Sequence, residues 1–172
     1  MVSTPPIAPS PLPPDIAEFV QSGLSITLAS RDERLIPSIG KGVGCRVEDE
    51  GQRLAVMVFA EAAEALLRDV AVHRQVAVVF SRPSTNRTVQ MKGRDAVAQR
   101  ATPADVAAVR RYLALFAAEL QPLGWDQAYV ESLFWGDPAQ LMVVRCTPGE
   151  GFVQTPGPAA GSRLDLAAGA TR

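Results

Sequence analysis

Apolar and polar residues alternate along several short stretches of this chain, as they do in β-strands that bury one face. Residues 24–28, Leu-Ser-Ile-Thr-Leu, give the clearest example. Residues 54–59 and 76–80 are apolar at nearly every position, which is typical of strands buried on both faces. Further strands are predicted at residues 35–39, 44–47, 87–97 and 141–145, and Pro37 places the first of these at a sheet edge or a bulge.

Four other segments show the spacing of apolar residues that is typical of helices. They are residues 14–21, 60–72, 102–120 and 126–134. The third has the clearest beginning, Thr102-Pro103-Ala104-Asp105. Thr102 is suited to the N-cap, Pro103 to the first turn and Asp105 to a capping box, so a helix is predicted to start there.

The order of these elements predicts the fold class. Most strands follow one another through short polar links, which favours antiparallel pairing, and six or seven such strands commonly form a barrel or a sandwich. We therefore expect a mainly β fold with peripheral helices. The composition divides the chain into a flexible, proline-rich arm (residues 1–12), one folded domain (13–156) and a flexible tail (157–172).

Composition and charge exclude several classes of protein. The net charge is −1, from 17 basic and 18 acidic residues, which is too balanced for a dedicated binder of nucleic acid or anionic membranes. No run of about 18 uninterrupted apolar residues is present, so no membrane-spanning helix is expected. One histidine and two distant cysteines, Cys45 and Cys146, are too few for the usual four-ligand zinc site. Two unpaired thiols fit a reducing, cytoplasmic setting.

Two polar segments could bind an anion. Lys41 lies within Gly40-Lys41-Gly42-Val43-Gly44, either as a cation on a glycine backbone that approaches a phosphate or as a solvated lysine at a strand bend. This is not a P-loop, because the Walker spacing is missing. The loop at residues 81–87 contains Arg82 and Arg87, which either clamp a phosphate or carboxylate or belong to a solvated hairpin loop.

Trp125 and Trp135 flank an aromatic segment that either stacks on a planar ligand or fills the core or an interface. The sequence shows no Ser-His-Asp order, paired-carboxylate motif or metal-binding motif. Such a lack of catalytic side-chain motifs is expected of a protein whose redox chemistry is carried by a cofactor.

The order of elements resembles that of the pyridoxamine 5'-phosphate oxidase-like, FMN-binding split barrels. The resemblance rests on residues 15–29, 34–38, 54–59, 73–80 and 87–94, and on the helix that begins at Thr102. It covers residues 13–147. It implies a largely antiparallel split β-barrel in which two protomers pair along the barrel and hold the flavin in a groove between them.

The same resemblance implies where a flavin phosphate would bind. In that family, basic and hydroxyl residues hold it, from the second strand and from the start of the helix after the fourth strand. Here residues 61–66 read Glu-Ala-Ala-Glu-Ala-Leu, so two carboxylates and no basic residue stand where the phosphate would bind. The remaining candidates for cofactor binding are Ser38, Lys41, Arg82, Arg87, Thr88 and Gln90.

Two functions remain open at this stage. The first is an FMN-dependent oxidoreductase, similar to flavin reductases, that acts on a small molecule as a homodimer. The second is a split barrel that has lost the phosphate-anchoring residues and acts as a flavin-free binding or interaction protein. A haem-handling protein of the same fold is least favoured, because it would have only His73 as an axial ligand.

Overall fold

Ten strands form two antiparallel sheets in residues 11–166, the part of the chain that the computed structural model describes. The strands are β1 (Ser25–Arg31), β2 (Pro37–Gly42), β3 (Cys45–Glu48), β4 (Arg53–Phe59), β5 (Val76–Ser81), β6 (Thr88–Gly93), β7 (Val97–Arg100), β8 (Leu141–Cys146), β9 (Glu150–Val153) and β10 (Arg163–Leu164). The α-helices are α1 (Pro14–Val20), α2 (Glu64–His73), α3 (Pro103–Leu120) and α4 (Gln127–Phe134). The predicted mainly β, largely antiparallel architecture with peripheral helices is confirmed.

The two sheets differ in size and are joined by backbone hydrogen bonds just after β2. The larger has the order β10-β9-β6-β5-β1-β2, and the smaller has the order β3-β4-β8-β7. After β2 the chain crosses to the smaller sheet, where the Val43 amide donates to the Met57 carbonyl at 2.8 Å and the Met57 amide donates to the Gly44 carbonyl at 3.0 Å. This junction holds the end of β2 against β4, and Lys41 lies two residues before it.

The core lies between the sheets and beneath α2 and α3. Leu54 to Val58 of β4 are completely buried, as their uninterrupted apolar sequence predicts. Because the chain itself covers both faces of β4, this strand does not supply the surface for pairing with a second copy. Burial raises the pKa of the Cys146 thiol to about 12 and that of Cys45 further, so both cysteines are unreactive core residues.

The third helix is held at its first turn and again near its middle. Thr102 caps its first turn, and the Asp105 carboxylate accepts the Thr102 amide at 2.8 Å, which completes the predicted capping box. Further along α3, the Tyr112 hydroxyl donates to the Leu24 carbonyl at 2.8 Å. A Cβ atom added at Gly23 would lie 2.4 Å from the Leu115 carbonyl carbon, so the helix backbone packs directly on this glycine. None of the helices described here is long and apolar enough to cross a membrane.

The structure corrects several predicted elements. The strand expected at residues 35–39 is β2, which begins at Pro37 because Leu35 has a left-handed turn conformation (φ 65°), and the last two strands, β9 and β10, are not among the predicted strands. The single strand expected at residues 87–97 is two strands, β6 and β7, which belong to different sheets. Between them the Asp95 carboxylate accepts the Thr147 amide at 2.8 Å, which fixes the chain where it changes sheet. The helix expected from residue 60 begins at Glu64, after a 3-10 turn at Glu61–Ala63.

The structure describes only part of the predicted N-terminal arm (residues 1–12) and of the predicted C-terminal tail (residues 157–172). Residues 1–10 of the proposed arm and 167–172 of the proposed tail lie outside the described residues. Within the arm, Leu12 is buried and its amide donates to the Gly51 carbonyl at 2.9 Å. Within the tail, Arg163 and Leu164 form β10, which pairs with β9.

Candidate functional site

Lys41 lies on the outer face of the larger sheet, the face turned away from the core. This outer face is defined by Thr27, Ala29, Ile39, Lys41, Ala77, Val79 and Gln90, whose paired positions lie side by side on β2, β1, β5 and β6. Apart from Ile39, which is exposed, these side chains are half-buried. Lys41 and Gln90 occupy the same row of the sheet, three strand spacings or roughly 14 Å apart.

The glycines on either side of Lys41 have a packing role. A Cβ atom at Gly40 would lie 2.6 Å from Leu66 of α2, and one at Gly42 would lie 2.5 Å from Ile26 of β1. Both positions therefore face the core, where no larger side chain fits. The glycines let α2 and β1 approach β2, and the same alternation turns Lys41 outward.

The Lys41 ammonium lies in an aromatic, weakly polar environment. Its Nζ donates to the Ser25 hydroxyl at 2.7 Å and lies 5.4 Å from the ring centre of Phe134 and 5.9 Å from that of Phe116. Within residues 11–166, Lys41 forms no ion pair with a carboxylate. Burial lowers the pKa of Lys41 below its ordinary value, because a half-buried ammonium loses part of its hydration.

A cavity of about 550 Å³ opens beside this lysine. Besides Lys41 it is lined by Val43, Phe59, Glu61, Ala62, Leu133, Phe134, Trp135 and Gly136. Trp135 meets the ring of Phe59 edge to face at 6.4 Å, and a Cβ atom at Gly136 would lie 3.1 Å from that ring. Of the two tryptophans that the sequence offered as a wall for a planar ligand, Trp135 therefore lines the cavity, whereas Trp125 stacks on Tyr129 at 4.5 Å.

Arg82 is engaged by side chains outside this cavity. Its guanidinium donates to Glu119 at 3.1 Å and to the Ser22 hydroxyl at 2.9 Å. Burial alone would raise the pKa of Glu119, but hydrogen bonds from Ser84 and the charge of Arg82 lower it. The polar loop thus holds a carboxylate of the protein itself, at the end of α3.

Arg87 fastens α1 to the same loop. Its guanidinium lies 4.2 Å from the ring centre of Phe19 and 3.7 Å from the Asp15 carboxylate. Arg82 also approaches the Phe19 ring, at 5.5 Å. Both arginines therefore have partners that hold the first helix, and neither lines the cavity at Lys41.

Of the three uncharged candidates, Ser38 lies on the core face of the larger sheet, and Thr88 and Gln90 lie on its outer face. Ser38 is on the core side of β2, beside Asp69, and its hydroxyl is the main reason that the pKa of Asp69 is lowered. Thr88 bonds the Ser81 hydroxyl at 2.7 Å, and its amide donates to the Thr155 hydroxyl at 2.9 Å. The structure thus places Lys41, Thr88 and Gln90 on one sheet face and Ser38 on the other.

Sequence reasoning missed Ser25 and Phe59 as neighbours of Lys41. The alternation of β1 puts Ser25 on the same face as Thr27, but only the pairing of β1 with β2 shows that it is within reach of Lys41. Phe59 is the last residue of β4, and its ring packs against the backbone at Gly136, so that both residues line the cavity. Neither neighbour can be read from the spacing along the chain.

The residues of the cavity fit the planar ring of a flavin nucleotide better than its phosphate. Three aromatic side chains and one ammonium suit a planar ring that carries an anionic group. Glu61 also lines the cavity, and no basic residue occurs in residues 61–66. The site can therefore provide one charge-assisted contact to a phosphate, from Lys41, with a carboxylate nearby that opposes it.

Comparisons with known proteins identify the fold. No protein-family model matches the sequence, and no curated protein sequence does either. Among solved structures, HupZ of Group A Streptococcus superposes with a TM-score of 0.52 at 14% identity, over 86% of this chain and 97% of that one. A candidate pyridoxamine 5'-phosphate oxidase of Lactobacillus delbrueckii superposes with a TM-score of 0.51 at 15% identity, over 83% and 94%. The chain thus has the split-barrel fold of pyridoxamine 5'-phosphate oxidase-like proteins.

Proposed function

We propose that this protein binds FMN in the cavity at Lys41 and acts as a flavin-dependent oxidoreductase on a small molecule. One observation carries the proposal: an ammonium with no carboxylate partner in residues 11–166 lies in the wall of a cavity that contains three aromatic rings. The cavity volume of about 550 Å³ is within the usual range for small-molecule sites. The split-barrel fold supports the proposal by analogy.

Each part of the cavity has a role in this proposal. Phe59, Phe134 and Trp135 contact the planar ring system and exclude water from it, and Lys41 contacts the phosphate. The bound flavin supplies the hydride or electron transfer, which explains why no catalytic side-chain motif is needed. In a homodimer the outer face of the larger sheet is the surface that pairs with the second copy.

A flavin-free binding protein is the second candidate, and two features favour it. Glu61 places a negative charge in the cavity, where it opposes a phosphate. Arg82 and Arg87 are occupied by Glu119 and Asp15 and do not add positive charge there. A protein that is purified without colour and does not bind added flavin would contradict FMN binding and favour this second function.

Replacement of Lys41 tests FMN binding directly. We expect Lys41→Ala to weaken FMN binding by about ten- to a hundredfold, because one charge-assisted contact contributes about 1.5–3 kcal/mol. Riboflavin, which has no phosphate, should lose much less affinity. Quenching of flavin fluorescence on titration with each protein measures both dissociation constants.

Lys92→Ala is the matched control for this experiment, because Lys92 is an exposed lysine that does not line the cavity. Its FMN affinity should equal that of the wild type. Equal losses for FMN and riboflavin in Lys41→Ala would show that the lysine supports the ring and not the phosphate. Undiminished FMN binding would place the site elsewhere.

A further inference from the structure

Ser25 and Lys41 form a close hydroxyl–amine pair between adjacent strands. The Lys41 Nζ lies 2.7 Å from the Ser25 Oγ, the distance over which a proton can pass between the two atoms. Ser25 is the first residue of β1, and α3 packs directly on the backbone at Gly23, two residues earlier. Both side chains are thus held by rigid elements on either side of the pair.

Partial burial of Lys41 favours the loss of its proton, because it removes water from the amine. The rings of Phe116 and Phe134 and the carboxylate of Glu61, which lines the same cavity, act in the opposite direction, although no carboxylate in residues 11–166 forms an ion pair with Lys41. The balance is a lowered pKa for Lys41, and burial is its cause. A lysine in such a site is suited to act as a general base, which an arginine cannot do because it stays protonated.

The cavity beside the pair provides space for an apolar group. Its walls carry Val43, Leu133 and aromatic rings, and Lys41 itself is part of the wall. Ser25 itself does not line the cavity, but its Oγ lies 2.7 Å from the Nζ of Lys41, which does, so the pair adjoins the space where the apolar portion of an ester would fit. The arrangement combines a nucleophile, a base and a binding site.

We propose that Ser25 and Lys41 act as nucleophile and general base in acyl transfer from apolar carboxylic esters. The neutral amine of Lys41 takes the hydroxyl proton as the Ser25 oxygen bonds to the ester carbonyl carbon. The tetrahedral species then expels the alcohol, which receives the proton from Lys41, and the acyl group stays on Ser25. Water, deprotonated by Lys41, releases the carboxylic acid and restores the hydroxyl. The reaction requires no flavin. It uses the neutral form of Lys41, whereas the charged form would contact the phosphate in the function proposed above, so the two activities exclude each other in one cavity at one time.

Hydrolysis of p-nitrophenyl acetate by the full-length protein in flavin-free buffer tests the proposal. We expect a burst of p-nitrophenolate and one acetyl group on Ser25, detected by mass spectrometry of the intact protein and of its peptides. Ser25→Ala should lose both signals. Lys41→Arg keeps a cationic hydrogen-bond donor but removes the base, so the burst rate should fall about a hundredfold or more.

Ser132→Ala serves as a control, because Ser132 is an exposed serine of α4 that does not line the cavity. It should keep the wild-type rate, and thermal melting should show that every variant is folded. An acetyl group on Lys41 would overturn the proposal, since the amine would then be the nucleophile. A wild-type rate in Lys41→Arg, or a burst that survives in Ser25→Ala, would do the same.

Discussion

Asp105 shows how much a single residue can organise in this fold. Its side chain is fully buried, and it accepts the amide and hydroxyl of Thr102, each at 2.8 Å. It also pairs with Arg46 of β3, and Arg145 of β8 lies 3.8 Å away. One carboxylate therefore caps α3 and ties its first turn to two strands of the smaller sheet.

We expect Asp105→Asn to lower the free energy of unfolding at pH 7 by about 1.5–3 kcal/mol, because Arg46 and Arg145 then keep only Glu48 as a counter-charge and lose the buried carboxylate. Burial alone would raise the pKa of Asp105, but hydrogen bonds from Thr102 and the charge of Arg46 lower it. The stabilisation is therefore complete above the unfolded value of about 3.9 and is lost as the pH falls through the lower folded value. Urea unfolding of both proteins between pH 7 and pH 3 measures this difference.

Asp126→Ala is the comparison for that experiment, since Asp126 caps α4 from an exposed position. It should cost about 1 kcal/mol, the usual value for loss of an N-cap. If the wild type and Asp105→Asn were equally stable at pH 7, the ion pairs of Asp105 would contribute nothing beyond helix capping.

At the scale of elements, the contact between α3 and the segment before β1 supports the wall of the candidate site. The helix backbone passes over Gly23, and the Phe116 side chain that follows this contact packs edge to face on Phe134 of the cavity wall at 5.5 Å. A methyl group at residue 23 would have to move the backbone at Leu115, which cannot give way as a flexible side chain would. The position of the aromatic wall therefore depends on a glycine in the loop between α1 and β1.

Gly23→Ala should consequently destabilise the protein by about 1–3 kcal/mol, the range for overpacking in a well-packed core. Gly149→Ala is the matched substitution, because the nearest atom to its added Cβ, the Lys92 carbonyl oxygen, is 4.0 Å away. Differential scanning calorimetry should show a lower melting temperature for the first variant and little change for the second. Equal melting temperatures would mean that α3 can shift without loss of packing.

At the scale of the whole molecule, we expect a homodimer. On the outer face of the larger sheet, Ile39 is 65% exposed, and Ala29 and Ala77 are half-buried beside it. Apolar surfaces of this kind commonly pair with another protein surface. Light scattering should give twice the mass of the chain, and Ile39→Asp should give the monomer mass with an unchanged circular dichroism spectrum. A wild-type monomer at micromolar concentration would exclude the dimer.

The sequence predicts the elements of this fold better than it predicts their contacts. Alternation and capping residues act over a few positions, so β1, β4 and α3 are found close to their predicted limits. The division of residues 87–97 into two strands depends on Asp95, whose partner Thr147 is distant in the sequence. The neighbours of Lys41 likewise come from β1, α3 and α4, and only the folded chain brings them together.

The two edge strands of the larger sheet limit how copies of this chain can associate. At one edge β10 has only two residues, and at the other β2 begins with Pro37, which has no amide hydrogen to donate. In residues 11–166, a two-residue strand at one edge and a proline at the start of the other are features that disfavour continuous strand addition, the route to fibrils. We therefore expect copies that associate through this sheet to do so through the side chains of its face.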